Sequence, residues 1–538
     1  MGNKATDIET GHVSNIGENM AAYSRSERSY DSQQGKVSLE GNQVFFKVPV
    51  TGRHRLSLFL FSLVTGLVTL ALPLLVGLTN TAQEEYLYSG LMLTKGLLPY
   101  GDIFSTGGFL YYVIVGLSYL LGSPLWLLLP YVMAFYVSGI YLYRLVGYLT
   151  RKEDLAMATS LLFYLLNGSL GFGGLYPVQL ALPFVLIGLW FLAKYLAGQA
   201  LDESFMVYGF LGALSLLLDP RTIIFWLLSS VLVLSVSFKR KERARGFYQL
   251  LATIFGSIIV FYTASYFLIN LQILDNYVGQ ALVYRLTALS QGGENLWVAF
   301  GVQLLMMVGA GLATGMLLMF KTSAGQVGLR HLQGFIALIF LLMAVFALFS
   351  RSFAPYLLLD SLPYGLLLTA SYLSARRDDT QKVKSHRRQK EGRVNDKVFM
   401  DMMKAHAYLP FLVVMFGLVY PIWQGLNQST FAADRQLVVK YLNKTANAEE
   451  KLYTWDNSTK IYEKTGLTPS SQLILPDAHT ATKTNARLLE DDLLQNQASY
   501  IVVNKTLPIS PAVSDNLKKN YKRQEIKGLT RFMVYRFE

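Results

Sequence analysis

From Leu56 onward the chain alternates long apolar runs with short polar breaks. The runs lie near 56–78, 124–149, 154–170, 177–197, 205–218, 222–238, 248–270, 295–320, 332–349, 355–374 and 405–424. These make about eleven segments, most of the length that a bilayer core demands of a helix, with 154–170 and 205–218 short. The pattern predicts an all-α polytopic membrane domain. The stretch "GGFLYYVIVGLSYLLG" at 107–122 is apolar but short, and Gly-Ser-Pro at 122–124 breaks it. If it crossed the bilayer, Arg151 and Lys152 would fall on the outer side, so it is read as a re-entrant or interfacial helix.

The two ends of the chain differ from this middle. Residues 1–50 are polar, rich in Ser, Gly, Asn and Glu, and read as a disordered cytoplasmic tail. The first apolar run starts too late to be the core of a signal peptide. Residues 426–538 change character again. "EKLYTWDNSTKIYEKTG" and "ASYIVVNKT" carry short strand-like runs, and "NARLLEDDLLQNQ" reads as a helix. The expected organisation is a tail at 1–50, a membrane domain at 51–425 with a first outer loop at 80–123, and a small α/β domain at 426–538.

Composition supports the pattern. The chain is 52% hydrophobic and 15% charged, with a mean hydropathy of +0.34. It has no cysteine, which excludes disulfides, thiolate metal sites and cysteine nucleophiles. Its six histidines are scattered without metal-ligand spacing, so no metal site or cofactor is assigned, and a divalent ion is left open. The net charge of +13 sits in short loops between apolar runs, including Lys239 to Arg245 and the group from Arg376 to Arg393. That is the positive-inside signature, not a nucleic-acid surface. Alternation then places 239–245, 321–330 and 376–397 inside with the N-terminus. It places 80–123 and the C-terminal domain on the extracytoplasmic face of the cell membrane.

Several polar residues stand at the outer ends of spans. Glu84 and Glu85 follow the first run directly, beside Tyr86, and Asp102 lies further along the same loop. Carboxylates there are either solvated loop residues or a general base where a lipid headgroup meets water. "LLLDPRT" sets Asp219 and Arg221 in a tight turn on the same face. Either the two pair with each other, or Arg221 grips a phosphate. Arg351 and Arg285 fall on that face too. Arg285 is expected to snorkel to ordinary headgroups.

"EEYLYSGLMLTKGLLPYGDIFSTGGFLYY" resembles the first outer loop of bacterial GT-C integral-membrane glycosyltransferases, which include the aminoarabinose transferase and protein mannosyltransferase relatives. The matches are Glu84 or Glu85 for the acid, Tyr86 to Gly90, Gly96, Pro99-Tyr100, Asp102, Gly108 and Tyr111-Tyr112. Arg221 in "LLLDPRT" stands where relatives carry lysine. "RSFAPYLLLDSLPYG" resembles a family segment through Arg351, Phe353, Tyr356 and Pro363. The resemblance implies a transferase that moves a sugar from a polyprenyl-phosphate-linked donor to an envelope glycan, lipid or protein acceptor. It implies a loop carboxylate (Glu84, Glu85 or Asp102) as base. Arg221, Arg351, Asp219, Tyr86 and Tyr356 would line the substrate site. The alternatives from other classes are a flippase or transporter of lipid-linked glycans and an envelope-assembly scaffold. Charges clustered at one face, with few at mid-membrane, favour the transferase.

Overall fold

The computed structural model describes residues 48–171, 174–287, 295–320, 327–350, 355–385, 408–427 and 429–538. Among these, seven helical segments are long and apolar enough to cross a membrane: Gly52–Val76, Pro124–Thr150, Pro177–Leu196, Pro220–Lys239, Arg243–Asn270, Leu329–Leu348 and Leu409–Leu426. Ser204–Leu218 and Leu296–Gly309 are shorter apolar helices. The chain is a multi-pass membrane protein. Pro177–Leu196 is central, with 78% of its apolar window buried, against 22% for Arg243–Asn270. On the latter Leu251, Phe255, Ile258 and Tyr262 are exposed, as a lipid-facing helix requires.

The loop after the first span is built from two helices, α1 (Thr81–Thr94) and α2 (Phe109–Leu120). Asn80 caps α1. Its side chain accepts from the Gln83 amide at 3.0 Å, and the Gln83 side chain accepts from the Asn80 amide at 2.9 Å. This reciprocal cap fixes where the helix starts, and hence where Glu84 and Glu85 point. The α2 helix has only 12 residues and ends at Gly122 with φ 94°, where Ser123 starts the next turn. It is shorter than the helices long enough to cross a membrane. Gly90 and Gly108 make the packing possible. A Cβ at Gly90 would overlap Val115 of α2, and one at Gly108 would overlap the Leu217 and Leu218 carbonyl oxygens.

The C-terminal domain begins with α3 (Ser429–Thr445) and carries a five-stranded sheet. The strands are β1 (Lys451–Trp455), β2 (Thr468–Pro469), β3 (Tyr500–Asn504), β4 (Tyr521–Gln524) and β5 (Phe532–Phe537), in the order β2-β1-β3-β5-β4. Neighbours of β1 run parallel to it, and β5 runs antiparallel to both β3 and β4. Period-two alternation gives the sheet two apolar faces. One face presents Leu452, Tyr500, Val502 and Val534. It packs on Val438 and Leu442 of α3 and on Tyr88, Met92 and Ile103 of the 81–108 loop. The other presents Tyr453, Ile501 and Val503 to Leu489, Leu493, Val513, Leu517 and Phe104. The loop is thus part of the core of the C-terminal domain, and the two share one face of the membrane domain.

Candidate functional site

Glu84 and Glu85 are adjacent on a helix, so their side chains diverge by about 100°. Both are buried, at 6% and 5% exposure. Glu84 faces the C-terminal domain, and both of its oxygens are occupied. Oε1 accepts from Thr79 Oγ1 at 3.1 Å and pairs with Lys460 Nζ at 3.0 Å. Oε2 accepts from Ser458 Oγ at 2.6 Å and the Thr459 amide at 3.3 Å.

Glu85 faces the other way. Its Oε1 accepts from Thr106 Oγ1 at 3.1 Å and lies 3.7 Å from His479 Nε2. Among the described residues its Oε2 has no hydrogen-bond donor. The Thr106 carbonyl accepts from Arg285 Nη1 at 2.9 Å, and Arg285 Nη2 donates to the Tyr86 hydroxyl at 2.9 Å. Thr106 therefore bridges a carboxylate and a guanidinium. Burial pushes the Tyr86 phenol up to about 12, so it stays neutral near pH 7 and leaves the Arg285 charge uncompensated. The guanidinium also sits 5.9 Å over the Tyr86 ring.

Arg285 is placed by an irregular helical segment, 274–287, whose middle (Val278–Tyr284) adopts the wide i→i+5 turn often found at functional sites. Gln280 in that turn clamps the loop. Its Oε1 accepts from the Ser105 amide at 2.9 Å, and its Nε2 donates to the Tyr100 carbonyl at 3.0 Å. Tyr100, with φ 69°, is fully buried and donates to the Gly107 carbonyl at 2.8 Å. A left-handed tyrosine persists only where its surroundings over-determine it, and these bonds do so. The expectation that Arg285 snorkels is corrected. Its guanidinium turns inward to Thr106 and Tyr86 because a neutral polar pair is offered there.

Arg221 has different company. Nε and Nη2 donate to the two oxygens of Asp219 at 3.1 and 2.8 Å, and Nη1 pairs with Asp360 at 2.6 Å. Asp219 is fully buried and also caps its own turn by accepting from the Arg221 amide. The carboxylate of Asp360, not anticipated from the sequence, completes this cluster. Its position inside the apolar run "PYLLLDSLPYG" was the available signal. Arg221, Arg285 and Asp360 line one small cleft, with Ile224, Met343 and Leu357 among its apolar walls. A second small cleft shares Arg221, Met343 and Asp360 with it. Tyr356 stacks on Tyr176, centroids 4.7 Å apart at 9°. The Tyr176 hydroxyl accepts from the capping Asn80 at 2.7 Å.

The structure does not bring Asp102 to this cluster. It is exposed, and its Oδ2 accepts from the Leu98 amide at 2.7 Å, closing its own turn. Arg351 and Phe353 lie outside the described residues. Among the described residues, no group of three or more His, Asp or Glu side chains could hold a metal ion.

A family model described as the Putative competence-induced protein Ccs4 N-terminal domain matches residues 45–429. The chain belongs to this family. The companion model, the Ccs4 C-terminal domain, matches residues 432–538, so the two family regions correspond to the membrane domain and the sheet domain. No curated protein matches the chain. Among solved structures, one match is the crystal structure of ArnT from Cupriavidus metallidurans bound to undecaprenyl phosphate. It shares 13% identity at a TM-score of 0.49, over 90% of this chain and 98% of that one.

Proposed function

We propose that the chain is a membrane glycosyltransferase that takes a sugar from a polyprenyl-phosphate-linked donor and passes it to an extracytoplasmic acceptor in the cell envelope. The observation that carries this reading is the Glu85–Thr106–Arg285 bridge beside an apolar cleft. Among the described residues, a carboxylate with one oxygen lacking a donor and a guanidinium without a carboxylate partner are held a single residue apart. An acceptor hydroxyl loses its proton to Glu85 Oε2, and its oxygen attacks the anomeric carbon. The bond from that carbon to the phosphate oxygen breaks, and the electron pair leaves on the phosphate. Arg285 neutralises the growing charge there. The isoprenoid tail lies along the walls formed by Ile224, Leu286, Met343, Phe346 and Leu357. Arg221, paired with Asp219 and Asp360, holds the cleft wall beside Arg285.

A deletion strain provides the test. Its lipid extract should accumulate one polyprenyl-phosphate sugar, which falls on complementation with the wild-type chain and stays high with Glu85→Gln. An unchanged lipid profile would sink the reading. The proposed orientation is checked separately, since the chain has no cysteine to interfere. A cysteine at Lys505 should react with an impermeant thiol reagent in intact cells, and one at Lys241 should not. The opposite pattern reverses the topology.

A further inference from the structure

The C-terminal domain sends one side chain into this cluster that no step above uses. His479 is fully buried, and neither ring nitrogen has a hydrogen-bond partner among the described residues. Buried polar atoms are almost always satisfied, so an imidazole with both nitrogens unbonded needs an explanation. The residue is not loosely placed. Its amide donates to the Leu475 carbonyl at 3.1 Å, and its carbonyl accepts from Asn485 Nδ2 at 2.7 Å. The turn itself is pinned to the 274–287 segment. Tyr284, next to Arg285, donates to the Ala478 carbonyl at 2.7 Å and accepts from the Ala481 amide at 3.2 Å. Phe104 packs on the imidazole with centroids 4.9 Å apart, and on Tyr284 at 4.8 Å. A fixed turn and an aromatic wall therefore aim the ring at Glu85, with Nε2 at 3.7 Å from Oε1, just outside bonding range.

We infer that His479 is the positioning residue of the Glu85 base, donating from Nε2–H to Oε1 once the acceptor is seated. The inference rests on the reading of Glu85 given above. With Thr106 and His479 both on Oε1, the carboxylate cannot rotate, and its proton-accepting oxygen is Oε2. The imidazole keeps its own proton throughout, so the step described above is unchanged in its balance. The C-terminal domain thereby becomes part of the active site, because only it supplies this donor.

The test uses purified full-length variants added to membranes of the deletion strain, which hold both the accumulated donor lipid and the unmodified acceptor. The initial fall in donor lipid is the readout. His479→Ala should slow turnover about ten- to a hundredfold, the usual range for a residue that orients a reacting group, with an unchanged dependence on donor level. Added imidazole should restore part of that rate. His479→Gln, which keeps an N–H donor, should lose less and guards against a folding defect. On a Glu85→Gln background, His479→Ala should cost nothing further. Wild-type turnover in His479→Ala would overturn the inference, as would a loss that imidazole does not relieve and that adds fully to Glu85→Gln. If Glu85→Gln itself turns over normally, the base assignment is what fails.

Discussion

The two sides of α1 solve the same electrostatic problem in opposite ways. On the Glu84 side, the carboxylate is closed off by four donors, three of them from Ser458, Thr459 and Lys460. On the Glu85 side, one oxygen is held and, among the described residues, the other has no donor, while Arg285, linked to it through Thr106, bonds to a carbonyl and a neutral phenol. The arginines repeat the contrast. Arg221 is saturated by Asp219 and Asp360, whereas Arg285 meets a carbonyl and a neutral phenol. Closed charge clusters hold a structure together, and open ones are available to a ligand. Residue type alone does not separate them.

The sharpest way to break this comparison is to neutralise each glutamate. Glu85→Gln should lower turnover by about 10²–10⁴, as loss of a general base does. Glu84→Gln should keep turnover within a few-fold and instead loosen the C-terminal domain, seen as faster proteolysis between the domains. Equal losses of turnover in the two variants would erase the distinction. The next largest effect is expected at Arg221. Replacing it with alanine strands a fully buried Asp219, at a cost of about 3–5 kcal/mol in stability. A thermal midpoint unchanged in Arg221→Ala would refute that role. Arg285→Ala should weaken donor use by about 1.5–3 kcal/mol, one to two decades, through the lost charge-assisted bond to phosphate, and should lower the midpoint less than Arg221→Ala does, because the carbonyl and phenol it leaves behind are neutral. An unchanged donor dependence would take Arg285 out of the site. The smallest effect belongs to Asp102. Asp102→Ala should cost about 0.5–1.5 kcal/mol of stability through the lost bond to the Leu98 amide. Asp102→Asn should retain both stability and turnover, since an amide oxygen also accepts. A large loss of turnover in Asp102→Asn would return it to the catalytic set.

What was legible in the sequence follows from locality. The spans are written as apolar runs, and the break after α2 as Gly122 with Ser123 and Pro124. Each of these signals acts within a few residues. The strands β1 and β3 were visible in "KLYTW" and "YIVV" for the same reason. The site was legible only as a set of candidates. The partners that separate Glu84 from Glu85 come from 458–460 and from 479, and those that separate Arg221 from Arg285 come from 360 and from 106. No spacing rule encodes such pairings; those of the glutamates are created when the C-terminal domain and the loop share a core, and those of the arginines when distant segments of the membrane domain meet. Asp102 shows the converse. Its place in a motif suggested chemistry, and its nearest amide gives it a local task.

The clasp between Glu84 and residues 458–460 also sets an order of events during synthesis. Ser458 emerges 374 residues after Glu84. Nearly the whole membrane domain is made, and its helices inserted, before the loop's first carboxylate meets its partners. The loop cannot settle until the last fifth of the chain has folded onto it, because Tyr88, Met92 and Ile103 belong to that domain's core. A truncated or stalled chain therefore leaves Glu84 with one donor of its four, Thr79, while Glu85 keeps its bond to Thr106 within the loop.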